Sequence, residues 1–333
     1  MNPNLILKQM VASLAILASF AFSTQALDRS CGDPNVTLLA SGLGALFGST
    51  VGPDKALYTA EPDNGRILRV DPHTGQVSTF ASGLPIVPFG GAFDIAFIGS
   101  TAYVLVTDVD PSVGGNSIDG IYRVDSPTSF AVIADIGQFA IDNPPQTAFE
   151  VPTGVQFALQ VFRGHFLVTD GHHNRVYEVT LDGQVSQLIA FNDIVPTGLA
   201  LHGKTIYMAE AGPVPHLPQN GKIVAFTPGS TSAVEVASGA RLLVDVEFGR
   251  GRTLYGLSQG RFPEGGFPGE PALPNTGKLV QANTDGTFTA IVKHLNQPTS
   301  MEFIGNTAYV FGLAGEIWKI ENVSCPPYGA AGH

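Results

Sequence analysis

The sequence is poor in charge and in cysteine, and it lacks the common catalytic fingerprints. Only 14% of its 333 residues are charged. The 17 basic residues form no cluster and are outnumbered by 28 acidic ones, for a net charge of −11. A surface of that sign repels nucleic acid and anionic lipid, so neither is an expected partner. The two cysteines, Cys31 and Cys325, offer no metal-finger spacing and no CxxC redox pair. No GxSxG, HExxH, P-loop or dinucleotide fingerprint occurs. No nucleotide cofactor is therefore expected, and serine-hydrolase and zinc-protease readings lack their signatures. Beyond the first 26 residues no stretch is long and apolar enough to span a bilayer.

Those first 26 residues read as a signal peptide. Lys8 supplies the positive end, Met10 to Phe22 the apolar stretch, and Thr24-Gln25-Ala26 a small-residue cleavage site. An uncleaved anchor is the alternative reading of the same segment. The expectation is a periplasmic or secreted protein, off the membrane after cleavage, with residues 27–333 forming one domain.

What the chain has in quantity is turns, with 39 glycines and 24 prolines. Between them run short β-branched and aromatic segments. Val151 to Ala190 shows the unit: strands at Val155 to Leu159, Phe166 to Thr169, Arg175 to Val179 and Val185 to Ile189, the last two joined by a Leu-Asp-Gly turn. The phrase recurs at Gly48 to Ala81, Ala92 to Asp135, Pro196 to Ser238 and Val244 to Val292. A repeat of this length implies a closed array of four-stranded units. The sixth copy, Pro298 to Asn322, lacks its fourth strand, whereas Asn35 to Ala40 is a strand without partners. Pairing these two ends closes the ring and protects its edges. The predicted fold is all-β, a six-bladed β-propeller whose last blade is completed by the N-terminal strand. The same pairing would bring Cys31 near Cys325, and a disulfide between them is expected in an oxidising compartment.

Asp170, Asn174 and Arg175 in TDGHHNRVYEV stand in places like those of NHL repeats, and Glu61 to Arg66 is a looser copy. A longer resemblance covers most of the domain. The phrases ASGLGALFGSTVGPDKALYTAE, GRILRVDPHTGQVSTFASGLP and GGAFDIAFIGSTAYVLVT resemble the ScyD/ScyE family of scytonemin pathways. That resemblance implies a periplasmic propeller. For its ScyE branch it implies oxidative coupling of an indolic-phenolic monomer, so a small aromatic molecule is the expected partner. It carries over no catalytic residue.

Loop lengths set one face of the propeller apart. Connections between first and second strands are short, as are those between third and fourth. Leu84 to Phe93, Asp108 to Asp119, Gly137 to Pro152, Ala211 to Gly221 and Gln259 to Gly277 are long and share the other face. Long loops on a rigid scaffold usually carry function. The first strand of each blade lines the channel, and alternation gives two rings. The outer ring is Gly48, Asp94, Gly154, Gly198, Asp245 and Ser300; the inner is Thr50, Ala96, Gln156, Ala200, Glu247 and Glu302. Asp94, Asp245, Glu247 and Glu302 are thus the candidate catalytic residues. Asp94, Asp245 and Glu302 are also candidate ligands for a divalent cation, calcium or magnesium. Hydrated channel walls are the alternative reading.

On the long-loop face, His172, His173 and His216 could ligate a metal or shuttle protons, with polar loop roles as the alternative. Phe89, Phe93 and Phe262 are candidates to hold a flat aromatic ligand, with core capping as theirs. Asp108-x-Asp110-x-Ser112 with Asp119 loosely resembles a calcium loop with its glycine displaced. Three functions follow: an enzyme acting on an aromatic metabolite, a metal-dependent lactonase like the gluconolactonase and senescence-marker propellers, or a non-catalytic scaffold. The lactonases carry a channel Glu in their first blade, where this chain has Gly48 and Thr50. Fold alone does not choose among the three.

Overall fold

A computed structural model describes residues 32–325. The expected signal peptide and Cys31 lie outside that range. Six four-stranded antiparallel sheets follow one another around a ring. The first blade is Ser49–Val51, Leu57–Glu61, Arg66–Val70 and Val77–Ser82. The third is Gln156–Phe162, His165–Asp170, Arg175–Val179 and Val185–Ala190. The sixth takes Pro298–Ile304, Thr307–Gly312 and Ile317–Glu321 from the end of the chain. Its outermost strand is Asn35–Ala40, paired antiparallel with Asn35 opposite Glu321 and Leu38 opposite Trp318. The Asn35 amide also donates to Glu321 at 3.1 Å. The expected closure is therefore present, and Cys325 is not a free thiol.

The blades form because each sheet is apolar on both faces. The second strands Leu57–Glu61 and His165–Asp170 are buried almost throughout, as sheets packed on both sides require. The core divides into six clusters, one in each gap between neighbouring blades. Phe166 and Val168 pack with Tyr103 and Leu105 of the second blade. Leu167 and Val176 face the other way, onto Ile206 and Met208 of the fourth. Leu57 and Leu68 of the first blade meet Tyr309 and Phe311 of the sixth, which closes the circle. Each fully buried side chain of this size contributes about 2 kcal/mol relative to exposure.

Two-residue hairpins join first and second strands in four blades, with Ile98 opposite Thr101, Phe162 opposite His165, His202 opposite Thr205 and Ile304 opposite Thr307; the first and fifth have longer turns, with Val51 opposite Leu57 and Phe248 opposite Leu254. The long connections lie at the other end of the ring. One contains the single α-helix among the described residues, Ile136–Asp142, in a stretch expected to be loop. Asp135 caps it by accepting from the Gln138 N–H at 2.8 Å.

Candidate functional site

The six first strands enclose a central cavity of about 320 Å³. Asp94, Asp245, Glu247 and Glu302 all line it, together with Thr50, Gln160, Ser49 and Ser300. Strand alternation brings the four carboxyls together as expected. In the third blade the expected register is wrong by four residues. Leu159 pairs with Val168 as Met301 pairs with Val310 and Ile95 with Val104. The ring positions there are therefore Ala158 and Gln160, not Gly154 and Gln156. Gln156 is buried instead against the second blade, bonded to the Thr107 hydroxyl at 2.9 Å and to the Thr153 carbonyl at 2.8 Å.

Asp94 and Asp245 do the same work in opposite halves of the ring. Asp94 accepts from its neighbour Ile95 N–H and from Leu159 N–H of the next blade, both at 2.7 Å. Asp245 accepts from Val246 N–H at 2.8 Å and from Met301 N–H of its next blade at 2.7 Å. Each aspartate thus clips two blades together. Each is also faced by a glycine on the preceding blade. A Cβ on Gly48 would stand 2.2 Å from Asp94 Oδ1, and one on Gly198 would stand 2.3 Å from Asp245 Oδ1. The absence of a first-blade carboxylate at Gly48 therefore has a steric reason. Burial raises Asp94 well above the usual carboxylate range and Asp245 to about 7, against the pull of these N–H groups.

Glu247 and Glu302 project deeper from adjacent blades and carry fewer bonds. Glu247 accepts only a 3.2 Å contact from the Phe248 N–H. Both are enclosed by protein yet reach the lumen of the cavity. Burial first, and then repulsion from the other channel carboxylates, pushes each well above the usual range. Two such groups share protons rather than ionise together. Among the described residues no three acidic or histidine side chains close on a common point. Each oxygen of Asp94 and of Asp245 already accepts one backbone N–H.

The histidines are placed differently from expectation. His173 is buried, donating from Nε2 to the Val151 carbonyl at 3.0 Å and accepting from Arg175 through Nδ1 at 2.9 Å. Arg175 is itself fully buried and bonds Tyr177 and the Asn143 carbonyl. Asp170 collects the Val155, His172 and His173 N–H groups and the Tyr177 hydroxyl. The DGHHNR segment is a knot holding a long loop to its blade. Burial lowers the His173 pKa, so it stays neutral. His216 is buried too, bonded to the Ala211 carbonyl at 3.2 Å and packed on the Phe262 ring at 4.8 Å. Neither histidine is offered to a ligand; His172 keeps a partly exposed ring.

Of the phenylalanines, Phe93 is buried against Phe47 and Phe262 under His216, while Phe89 is 92% exposed. Sequence reasoning missed Gln160, and the distance back from the Arg163-Gly164 hairpin could have found it. Between the second and third blades, Asp108 and Asp119 are both raised to about 7, chiefly by burial.

No family model matches the chain, and no curated protein does. Solved structures do resemble it. A gluconolactonase from Xanthomonas campestris aligns with a TM-score of 0.62 at 14% identity, over 89% of this chain and 91% of that one. A PQQ-bound aldose sugar dehydrogenase from Streptomyces coelicolor aligns at 0.61 and 14%, over 87% and 98%. A catalytically inactive virginiamycin B lyase from Staphylococcus aureus, bound to quinupristin, aligns at 0.54 and 14%. At such identity these likenesses show the fold. The chain is a six-bladed β-propeller.

Proposed function

We propose that the channel is the active site of a hydrolase for small polar cyclic esters, of the sugar-lactone class. The observation that carries this is the Glu247–Glu302 pair, two enclosed, mutually repelling carboxyls in a cavity walled by hydroxyl, amide and carboxyl groups. The cavity is at the small end for a ligand site. Of the pair, one carboxylate takes a proton from the attacking water while the other, held neutral, gives its proton to the ring oxygen as the carbonyl–oxygen bond breaks. Water and lactone are consumed and a hydroxy acid is formed. Asp245 positions the two strands that carry the pair, while Asp94 makes the same clip between the second and third blades across the channel. The gluconolactonase likeness supports the substrate class.

A panel of γ- and δ-sugar lactones followed by proton release tests this reading. Glu247→Gln and Glu302→Gln should each lower turnover about 10²-fold or more with the fold intact. A wild-type protein that hydrolyses none of them, or variants that retain full rate, would sink it.

A second reading keeps the aromatic metabolite that the ScyD/ScyE resemblance implies, bound at the mouth rather than in the channel. Phe89 and Phe267, 92% and 63% exposed on long loops, favour it. Binding of an indolic-phenolic ligand lost in Phe89→Ala but kept in Glu302→Gln would select it. Export of the mature domain belongs to both readings.

A further inference from the structure

The long connection of the second blade carries a group of carboxyls that the channel chemistry does not use. Asp110 and Asp119 lie within hydrogen-bonding reach of each other. They are only 8% and 1% exposed. Asp119 Oδ1 accepts from the Val109 N–H at 2.8 Å, and Asp110 Oδ1 from the Ser112 N–H at 2.7 Å. Asp110 Oδ2 accepts from the hydroxyl of Thr153, on the approach to the third blade, at 2.9 Å. Gly137 leaves this wall open for them, since a Cβ there would stand 3.0 Å from Asp119 Cβ and 3.2 Å from Thr153 Cγ2.

Two oxygens in the group have no donor: Asp119 Oδ2 and Asp108 Oδ1. The charges acting on Asp108 are those of Asp110 and Asp170, both negative. Among the described residues no ion pair involves Asp108, Asp110 or Asp119. A buried polar oxygen without a partner costs about 1–3 kcal/mol, more if charged. One proton shared by Asp110 and Asp119 would satisfy the first oxygen and leave the second unmet. A hard cation, which takes six to eight oxygens, satisfies both.

We propose that the loop Asp108 to Asp119 binds a divalent cation of the calcium class through Asp108, Asp110 and Asp119, fastening the second blade's long loop to Thr153. No three of these side chains already meet at ligand distance. Binding therefore turns in Asp108, the most exposed of the three. None of the three aspartates lines the channel cavity, so the cation would hold the loop without taking part in the reaction.

Calcium titration of chelator-treated protein tests the proposal, read by bound metal and by thermal unfolding. Wild type should bind one equivalent and gain about 3 °C or more at saturating calcium. Asp119→Asn keeps the shape and can donate to Asp110 as a shared proton would. It should lose the calcium-dependent gain and bind at least about 100-fold more weakly. If that variant does not fold, Asp108→Asn should read the same loss. A Glu247→Gln/Glu302→Gln protein should keep the full calcium response, which separates this site from the channel. Wild type that binds no calcium, or Asp119→Asn and Asp108→Asn proteins that keep the gain, would show a shared proton only and overturn the assignment.

Discussion

Replacing Gly48 by alanine adds one methyl group, and the structure says where it goes. The new Cβ would lie 2.2 Å from Asp94 Oδ1, 2.4 Å from its Cγ and 2.7 Å from its Cβ. No rotation of the methyl relieves this, so Asp94 or its strand must move. Moving it forfeits the bonds to the Ile95 and Leu159 N–H groups. Burial disfavours the charged form of Asp94, so its two bonds are of ordinary strength, roughly 0.5–1.5 kcal/mol each, and their loss costs about 1–3 kcal/mol before backbone relaxation. The assay is a double-mutant cycle in urea. Gly48→Ala and Asp94→Gly should each be strongly destabilising. In the Asp94→Gly background all three clashing atoms have gone, and Gly48→Ala should cost less than about 1 kcal/mol. A Gly48→Ala protein within about 1 kcal/mol of wild type, or a double variant whose cost is the sum of the two, refutes the clip. At Gly198 a Cβ would also stand 2.6 Å from Asp245 Cα, so Gly198→Ala should stay destabilising even when the Asp245 side chain is removed.

The glutamate pair predicts a pH dependence of stability. Glu247 and Glu302 have folded pKa values above their unfolded ones, so the unfolded chain releases protons first. Stability from this source is complete below the ordinary value of 4.5 and is lost as pH rises above it. The slope is at most about 1.4 kcal/mol per pH unit for each group, less because both reach channel water. A Glu247→Gln/Glu302→Gln protein should lack this part of the decline between pH 5 and 7, and parallel melting curves would exclude it. For the chain ends, Cys31→Ser/Cys325→Ser should cost up to roughly 4–5 kcal/mol of stability, read as a lower melting temperature, with the channel unchanged. Two reactive thiols in unreduced wild type would rule the disulfide out.

The fold was legible because a propeller is written in repeated local signals. The unpaired strand Asn35–Ala40 and the three-stranded sixth repeat predicted each other, and they pair in the register that prediction needs. The site was legible where the strand phase could be read. In the third blade it could not, because Val155 and Phe157 alternate as convincingly as Leu159 and Val161. The hairpin supplies the missing anchor. Ala96, Gln160, Ala200 and Glu302 each stand three residues before the first hairpin residue, Gly99, Arg163, Gly203 and Gly305. Those turn residues have positive φ, as tight hairpins of two residues require. In these four blades the register is therefore marked by the turn rather than by the hydrophobic alternation. The burial of His173 and His216 was hidden for a different reason. Both owe their place to partners far along the chain, Val151 for one and Phe262 for the other, and no local pattern marks such a contact. Local spacing could locate the carboxyls. Only the packed ring could show that Asp94 and Asp245 hold blades together, while among the described residues Glu247 and Glu302 accept no such N–H from another blade.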